Sequence, residues 1–589
     1  MSSTNSYTIE RNAQIIIALL KKKGIKKVVA SPGTTNISVI GSMMNDAFFE
    51  IYSAPDERSA AYIACGMAVE SGEPVVISCT GATASRNYLP ALTEAYYRKI
   101  PVLALTSSLP IGRSGHLYPQ FIDRTSQPKD CLKYSTQIFP IHSQEEEWNC
   151  VIKVNTALLE LKRHGGGPVH INLMTEGEFA DFSVKILPDV RSIERYFLWD
   201  NLPKLPTGNI AIFIGSHNRL SENLQMLIDE FCKKFNAIVF CDQTSSYKGK
   251  YRVLYSLVSV QSIENIVIDK LDLLIHIGEV SGDYYTQNRL RRAKSVWRVN
   301  EDGEIRDYFR HLQYVFEMPE ELFFKKIIEN NEQRNEQSQC SNLTKCKMFV
   351  EEVVGNIPEL PFSNIWVSMQ SARLLPENSV VHFGILNSLR SWNFFEISYD
   401  VESYCNVGGF GIDGCLSTLI GASFVNPNKL YFGFLGDLAF FYDMNSLGNR
   451  TVGKNLRIML INNGKGTEFR NYSHPGSKFG ERADDFIAAG GHYGNKSKEL
   501  IKHYAEDLGF KYLSASTKEE FVNYQNEFFN KNIETSIIFE VFTDNEDESF
   551  ALYSINHIKE NVKNQFKAKI KDFVGSKTID LVKKITCSK

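Results

Sequence analysis

The chain has 589 residues, of which 43% are hydrophobic and 23% are charged, so it is long enough for three or four globular domains and too apolar for a disordered protein. Its 65 Lys and Arg nearly balance its 68 Asp and Glu, which excludes the overall basic field expected of a nucleic-acid-binding protein. The 11 cysteines form no C-x-x-C pair, so neither a zinc ribbon nor a disulfide framework is indicated. Without a leader-like start or an apolar run near the ~18 residues of a membrane span, the sequence predicts a cytoplasmic protein with no transmembrane segment.

The first block of the chain alternates short apolar runs with longer amphipathic stretches. This alternation predicts a parallel sheet covered by helices. A polar, Pro-rich stretch at 187–209 predicts a linker, so we expect a first domain over residues 1–186. The predicted strands are 28–31, 75–79, 102–106 and 169–173.

Two further blocks follow, and together the three predict an α/β fold of three doubly wound parallel-sheet domains. The second domain is expected over 209–328. It has no G-x-G-x-x-G fingerprint, so an intact dinucleotide site is not expected there. The polar run 329–342 predicts a second linker before a third domain over 343–548. A basic tail over 549–589 predicts a solvated helix. The middle strands are expected at 210–214, 237–241, 271–277 and 296–299.

The first and third blocks show a weak internal repeat. In each, an apolar strand ends in glycine and is followed by a helical stretch and a second apolar strand. Gly81 precedes Pro101 by 20 positions, and Gly436 precedes Leu456 by the same 20. Strand-helix-strand units commonly have this length, so the spacing is suggestive only in combination.

The third block carries the most informative chemical pattern. Gly436-Asp437-Leu438 closes one apolar strand, and Asn462-Asn463 closes the next. Adjacent ends of parallel strands face one crevice, where ligands of α/β folds bind. A carboxylate with amide and backbone oxygens suits a magnesium ion bound to phosphates. Alternatively, Asp437 caps its helix and Asn462-Asn463-Gly464 is a turn.

The pattern resembles the signature of the thiamine diphosphate enzymes, which is G-D-x followed after some two dozen residues by N-N. The first block has that family's motifs in order, namely Ser31-Pro32-Gly33, Asp56 to Ala61, and Gly81. The resemblance covers most of residues 10–545. Within the family, the chain is similar to the menaquinone-pathway synthases, which join 2-oxoglutarate-derived succinic semialdehyde to isochorismate. That similarity rests on Asn387-Ser388-Leu389, Gly411-Ile412-Asp413-Gly414, and Gly436-Asp437-Leu438 with Tyr442-Asp443.

The resemblance implies thiamine diphosphate and Mg²⁺ as cofactors, and it implies residue roles. Glu57 would bind the pyrimidine ring nitrogen as the catalytic glutamate, although an ordinary first-turn acid is the alternative. Ile412 would wedge the cofactor into its bent shape. Asp437, Asn463 and the backbone carbonyl of Lys465 would be the metal ligands. Further cofactor contacts are implied for Gly81, Ser388, Gly436 and Leu438.

The resemblance also implies an active site shared between two chains of a homo-oligomer. In this family one chain binds the diphosphate half through its third block, and the partner binds the pyrimidine half through its first block. A homodimer is therefore the minimal active unit, with a homotetramer as the alternative. The small-molecule partners would be a 2-oxo acid and a carbonyl acceptor.

Several arginines with which the menaquinone-pathway synthases hold substrate carboxylates are replaced. Thr34-Thr35 stands for a serine-arginine pair, Val407 for the arginine of an asparagine-arginine-glycine motif, and Trp392 for a third arginine. The substrate-side residues we expect are Thr35, Arg390, Arg470 and His474. On the loop after strand 102–106, His116 and Gln120 are candidate catalytic residues. Surface loop positions would explain His116 and His474 equally well.

We therefore predict a thiamine diphosphate-dependent enzyme that decarboxylates a 2-oxo acid and transfers the acyl-anion equivalent to an acceptor. The replaced arginines favour a substrate unlike isochorismate. The first alternative is the menaquinone-pathway synthase itself, with relocated basic residues. The second is a non-catalytic relative that binds the cofactor or a partner protein. Intact Glu57 and Asp437 weigh against that last alternative.

Overall fold

The computed structural model describes residues 5–333, 341–493, 496–532 and 534–560. These residues form two compact units. The first contains the residues up to Phe197 together with Gly303–Glu317, and the second contains Leu198–Asp302 and the residues from Met318 onward. Within the described residues, none of the helices is both long and apolar enough to cross a bilayer.

A parallel sheet of six strands forms the centre of the first unit. All four strands predicted in this block are present. Successive side chains of the buried strands point to opposite faces, and each face has its own core. Val76 and Leu103 pack with helix Arg11–Lys22 on one side, whereas Val75 and Ile77 pack with helix Glu57–Ser71 on the other. In spatial order the strands are Glu50–Ser53, Lys27–Ala30, Val75–Cys79, Val102–Ser108, Val169–Met174 and Tyr134–Ile138.

Six helices accompany this sheet, and two further strands complete the first unit. Glu194–Phe197 pairs in parallel with Leu312–Glu317, so the stretch predicted as a linker over 187–209 contains a strand. The sequence of strand Glu194–Phe197 does not alternate clearly between apolar and polar residues. In the structure, Tyr196 stacks on Phe316 with ring centroids 5.4 Å apart. The partner strand lies more than 100 residues away along the chain, so a local sequence pattern could not predict this pairing. The helices are Arg11–Lys22, Ile37–Met44, Glu57–Ser71, Thr83–Arg86, Leu89–Tyr97 and Gln144–Glu160.

The second unit begins with the sheet predicted for the middle block. Strand Ile210–Ile214 lies between Ile238–Cys241 and Leu273–Ile277. Arg252–Leu254 extends the sheet on one side, and Val296–Asn300 extends it on the other. All of these pairings are parallel, as expected. The helices of this region are Glu222–Phe235, Ser256–Ser259, Tyr284–Leu290 and Glu320–Asn330.

A six-stranded parallel sheet forms the rest of the second unit. Its helices are Asn342–Val354, Asn364–Ser371, Asn387–Trp392, Cys415–Val425, Asp437–Asp443, Ala483–Phe486, Leu500–Asp507, Lys518–Phe528 and Asn545–Asn556. In spatial order its strands are Glu402–Cys405, Val380–Phe383, Tyr431–Gly436, Leu456–Asn462, Ile537–Phe542 and Lys511–Ala515.

The first and last sheets have the same topology, which confirms the predicted repeat. Numbered by chain order within each sheet, the strands of both follow the spatial order 2-1-3-4-6-5. The strands that flank the two 20-residue spacings occupy positions 3 and 4 in both sheets. The α/β class with three parallel sheets is therefore confirmed. Of the predicted basic tail, residues 561–589 lie outside the described residues, and so do residues 334–340 of the second predicted linker.

Candidate active site

The carboxyl ends of the last sheet surround a cavity of about 110 Å³. Every third-block residue that the sequence assigned to cofactor or metal lines it. They come from the ends of different strands and from the loops that follow, which is where α/β folds bind ligands. These lining residues are Ser388, Ile412, Gly436, Asp437, Leu438, Asn463 and Lys465.

Asp437 is the buried carboxylate of this cavity. It is the first residue of helix Asp437–Asp443 and is only 4% exposed. One carboxylate oxygen accepts a hydrogen bond from the Leu438 amide and the other from the Gly464 amide, both at 2.7 Å. Burial nevertheless raises the pKa of Asp437 to about 6, because these amides only partly offset its desolvation. A cation beside the carboxylate would relieve that cost.

Asn463, the second expected metal ligand, has a buried side-chain oxygen. Its side-chain Oδ1 is buried and has no hydrogen-bond partner, whereas buried amide oxygens are nearly always bonded. The preceding Asn462 differs, because its amide donates to Glu540 at 2.6 Å and is therefore structural. An orphaned amide oxygen close to a buried carboxylate fits a magnesium-type ligand set.

The metal site expected here would have a single carboxylate. Among the described residues, no cluster of three His, Cys, Asp or Glu side chains is suited to a metal ion. The proposed set instead combines Asp437, the Asn463 amide and the backbone carbonyl of Lys465. A hard-oxygen set with one negative charge suits an ion that also binds the phosphates of a ligand.

The first-block candidates lie at the carboxyl end of the first sheet, in the other unit. Glu57 is the first residue of helix Glu57–Ser71, whose N-cap Asp56 accepts from the Arg58 amide. Its carboxylate is partly exposed and accepts from the Asn87 amide at 3.2 Å. Thr35 donates to the Ser107 carbonyl at 2.8 Å and lies 2.8 Å from the Thr80 hydroxyl. The Thr35 hydroxyl hydrogen is thus already used within the protein.

His116 and Gln120 are both exposed on the loop after strand Val102–Ser108. The Gln120 backbone carbonyl lies over Gly81, 3.3 Å from where a Cβ atom on that glycine would stand. This brings Gln120 and Gly81 together at the edge of the sheet.

Four of the non-glycine residues with a positive φ lie in or beside the predicted motifs. Ala82 follows Gly81 with a φ of 49°, Leu386 precedes the Asn387-Ser388 motif with 65°, and Phe410 precedes Gly411-Ile412 with 55°. Gln120 has a φ of 67°. Non-glycine residues in this left-handed region are uncommon and concentrate at binding sites, where the surrounding structure holds them.

Both arginines predicted to bind substrate form ion pairs within the protein. Arg390 pairs with Glu468 at 2.5 Å. Lys465 and Arg470 both pair with Asp484, at 2.6 Å and 2.5 Å. Arg390 thus has a carboxylate partner of its own, whereas Arg470 and Lys465 share one.

His474 is occupied by the backbone. Its Nδ1 accepts a hydrogen bond from the Gly476 amide at 3.0 Å and caps the 3₁₀ helix Pro475–Arg482. That geometry favours the structural alternative for this histidine.

Two residues at these sites were missed by the sequence reasoning. Glu468 lines the cavity and holds Arg390, and no pattern around it signals either role. Arg124 is buried at the first-sheet edge. The only sequence feature that could have indicated a role for Arg124 is its position, four residues after the predicted site residue Gln120.

Comparisons with known proteins find similar sequences along most of the chain. Residues 11–127 match the family model described as "Thiamine pyrophosphate enzyme, N-terminal TPP binding domain". The chain is 30% identical to the 2-succinyl-5-enolpyruvyl-6-hydroxy-3-cyclohexene-1-carboxylate synthase of Phocaeicola vulgatus over 94% of this chain and 99% of the relative. The proteins of that name from Bacteroides thetaiotaomicron and Cytophaga hutchinsonii are 30% and 28% identical, over 94% and 78% of this chain and 99% and 84% of the relatives.

Proposed function

The chain belongs to the thiamine diphosphate-dependent family of the 2-succinyl-5-enolpyruvyl-6-hydroxy-3-cyclohexene-1-carboxylate synthases, and we propose that it catalyses the reaction for which those relatives are named. It is a thiamine diphosphate-dependent enzyme of the decarboxylating and carbon-carbon bond-forming type. Its cofactors are thiamine diphosphate and a divalent metal ion. The proposed metal is Mg²⁺ and the proposed donor is 2-oxoglutarate.

One observation carries the proposal on the structural side. The cavity at the last sheet gathers a buried carboxylate, an orphaned amide oxygen and the residues of the N-S-L and G-I-D-G motifs. We infer that Asp437, Asn463 and the Lys465 carbonyl hold Mg²⁺ on the diphosphate. The Ile412 side chain, which lines the same cavity, would contact the rings of the cofactor.

When bound, thiamine diphosphate supplies the carbon nucleophile and the electron sink for decarboxylation. The protein supplies binding, orientation and the proton at one ring nitrogen. For the last of these roles we propose Glu57, whose carboxylate is held by Asn87 at 3.2 Å. Helix Glu57–Ser71 fixes where that carboxylate points, and its N-cap fixes where the helix begins.

We propose a homodimer in which each site takes Glu57 from one chain and Asp437 from the other. Helix Glu57–Ser71 supports this, because Tyr62, Ile63 and Val69 on it are 46%, 46% and 53% exposed. Large apolar side chains left exposed together on one helix are typical of an interface. Gel filtration with light scattering would measure the assembly and separate a dimer from a tetramer.

Mixing two inactive variants tests the sharing directly. Glu57→Gln and Asp437→Ala homodimers should each be inactive. After subunit exchange, half of the dimers are mixed, and each mixed dimer has one site with both native residues. Activity should therefore return to about one quarter of wild type. Activity that stays at the level of the two single variants would refute shared sites.

The reaction itself is tested by incubating the holoenzyme with 2-oxoglutarate and isochorismate. Release of carbon dioxide together with the coupled product supports the proposal. Carbon dioxide from 2-oxoglutarate without coupling would support the donor and reject the acceptor. No carbon dioxide from any 2-oxo acid in a panel would reject the function while leaving cofactor binding to be measured separately.

A second candidate has a specific observation in its favour. Arg390, Arg470 and Lys465 are paired with Glu468 and Asp484. They are therefore poor replacements for the arginines absent at Thr35, Val407 and Trp392. The second candidate is decarboxylation and carboligation with an acceptor that carries fewer carboxylates. The same assay with pyruvate and neutral aldehydes distinguishes the two, because only this candidate expects coupling without isochorismate.

A further inference from the structure

Arg124 is a buried cation at the carboxyl edge of the first sheet. It lies on the loop between strands Val102–Ser108 and Tyr134–Ile138 and is only 4% exposed. Its Nη1 donates to the Asn172 side-chain oxygen at 2.7 Å and weakly to the Ser107 carbonyl at 3.4 Å. Both acceptors are neutral, so they satisfy one nitrogen without compensating the charge.

The rest of the guanidinium is unpaired. Nε is buried without a hydrogen-bond partner, and Arg124 forms no ion pair within the described part of the chain. Burial lowers the pKa of Arg124, and the nearby Arg86 lowers it further. The Nε of the buried Arg457 also has no partner, but Arg457 differs because both of its terminal nitrogens donate to backbone carbonyls. A buried charge left without a counterion is unfavourable unless a ligand supplies one.

The unpaired edge of Arg124 consists of Nε and Nη2. Arg289 presents this same edge to both oxygens of Asp269, with two hydrogen bonds of 2.8 Å. Side-on pairs of this kind are the strongest that a guanidinium makes with a carboxylate. Arg124 therefore has the geometry to hold a carboxylate with two hydrogen bonds.

That edge faces the predicted site. Nη2 lies 3.0 Å from where a Cβ atom on Gly81 would stand, so only glycine leaves clear space above it. A small cavity of about 20 Å³, the size of one water molecule or one carboxylate oxygen, adjoins Arg124. Its other polar lining groups are neutral side chains, namely Ser108, Ser114, Gln120, Gln137 and Asn172.

We propose that Arg124, with Gln120 and Gly81, forms a carboxylate-binding site for the 2-oxo acid donor. The inference rests on the proposed function for the identity of the donor, but the anion site itself stands on the geometry. A carboxylate that approaches past Gly81 meets Nη2 first and replaces the missing counterion. Arg124 would thus bind a substrate carboxylate in place of the arginines that are absent at Thr35 and Val407.

Titration of the magnesium- and thiamine diphosphate-loaded enzyme with oxalate tests the site without turnover. Arg124→Gln should weaken oxalate binding roughly 10- to 100-fold, since it removes charged hydrogen bonds. Arg124→Lys, which keeps the charge but not the fork, should weaken it severalfold. The control is Arg113→Gln on the same loop, where the exposed guanidinium lies over Tyr118 at 5.5 Å. This control should bind oxalate as wild type does.

Donor kinetics give an independent readout. The KM for the 2-oxo acid should rise in Arg124→Gln by a similar factor, while the affinity for thiamine diphosphate stays unchanged. If Arg124→Gln does not fold, as judged by circular dichroism, Arg124→Lys decides the question.

Four outcomes decide between this inference and the proposed function. Oxalate affinity that is equal in wild type and Arg124→Gln overturns the site, as does a wild type that binds no oxalate. Oxalate binding that depends on Arg124, in an enzyme that decarboxylates no 2-oxo acid, supports the site and rejects the function. Turnover with an unchanged KM in Arg124→Gln supports the function and rejects the site.

Discussion

Replacing Asp437 by asparagine tests the electrostatics of the cofactor cavity in the cofactor-free protein. Burial raises the pKa of this carboxyl from 3.8 to about 6. One pKa unit is worth about 1.4 kcal/mol. The ionised carboxylate therefore costs the folded state roughly 3 kcal/mol above pH 6. Asparagine has no charge to bury and avoids that cost.

The direction of the pH dependence follows from the raised pKa. The folded state holds this proton more tightly than the unfolded state, so the free energy of unfolding falls as the pH rises from about 4 to 6. Asp437→Asn lacks this contribution. Between pH 5 and pH 8, wild type should lose about 1.4 kcal/mol more than the variant. Asparagine has one acceptor oxygen instead of two, so the variant loses one of the hydrogen bonds from the Leu438 and Gly464 amides. This loss is the same at both pH values, so it cancels when the two are compared.

Urea unfolding of the cofactor-free protein at pH 5 and pH 8 measures this difference. Asp413→Asn, at an exposed carboxylate of the G-I-D-G motif, is the matched control and should follow wild type. Equal changes for wild type and Asp437→Asn would refute the reasoning. At pH 8, Mg²⁺ and thiamine diphosphate at 100 times their dissociation constant should then stabilise wild type by about 2.7 kcal/mol and the variant by much less.

The remaining predictions concern catalysis, metal binding and packing. Glu57→Gln should lower decarboxylation by about 10²- to 10⁴-fold in a carbon dioxide assay, with cofactor affinity from calorimetry changed less than threefold; equal losses in both would indicate a binding role. Asn463→Ala should weaken magnesium-dependent cofactor binding at least tenfold, and an unchanged affinity would remove it from the ligand set. Gly215→Ala should lower the free energy of unfolding by roughly several kcal/mol, because the added Cβ would lie 2.0 Å from the Glu279 carbonyl oxygen in the middle sheet region. Gly421→Ala, in a helix with open space around it, should instead stabilise by about 0.5–1 kcal/mol in the same unfolding assay.

Much of the candidate site could be predicted because its residues follow strand ends. Parallel strands carry their ligands at one edge, so Asp437 and Asn463 were expected to meet from sequence order alone. The resemblance selected Asn463 from the N-N pair, but the physical reason for that choice lies in the tertiary structure. That depends on Glu540, 78 residues away, which takes the Asn462 amide.

The sequence by itself determined the α/β class and the cofactor motifs and indicated the repeat of the first and last sheets, because strand and helix periods and glycine positions are local properties. Only the tertiary structure decided which charged side chains form ion pairs. Arg390 meets Glu468 across 78 residues, whereas the buried Arg124 forms no ion pair among the described residues. Ion pairing and desolvation depend on distances through space, so no local pattern could show that one arginine is neutralised and the other is left to bind an anion.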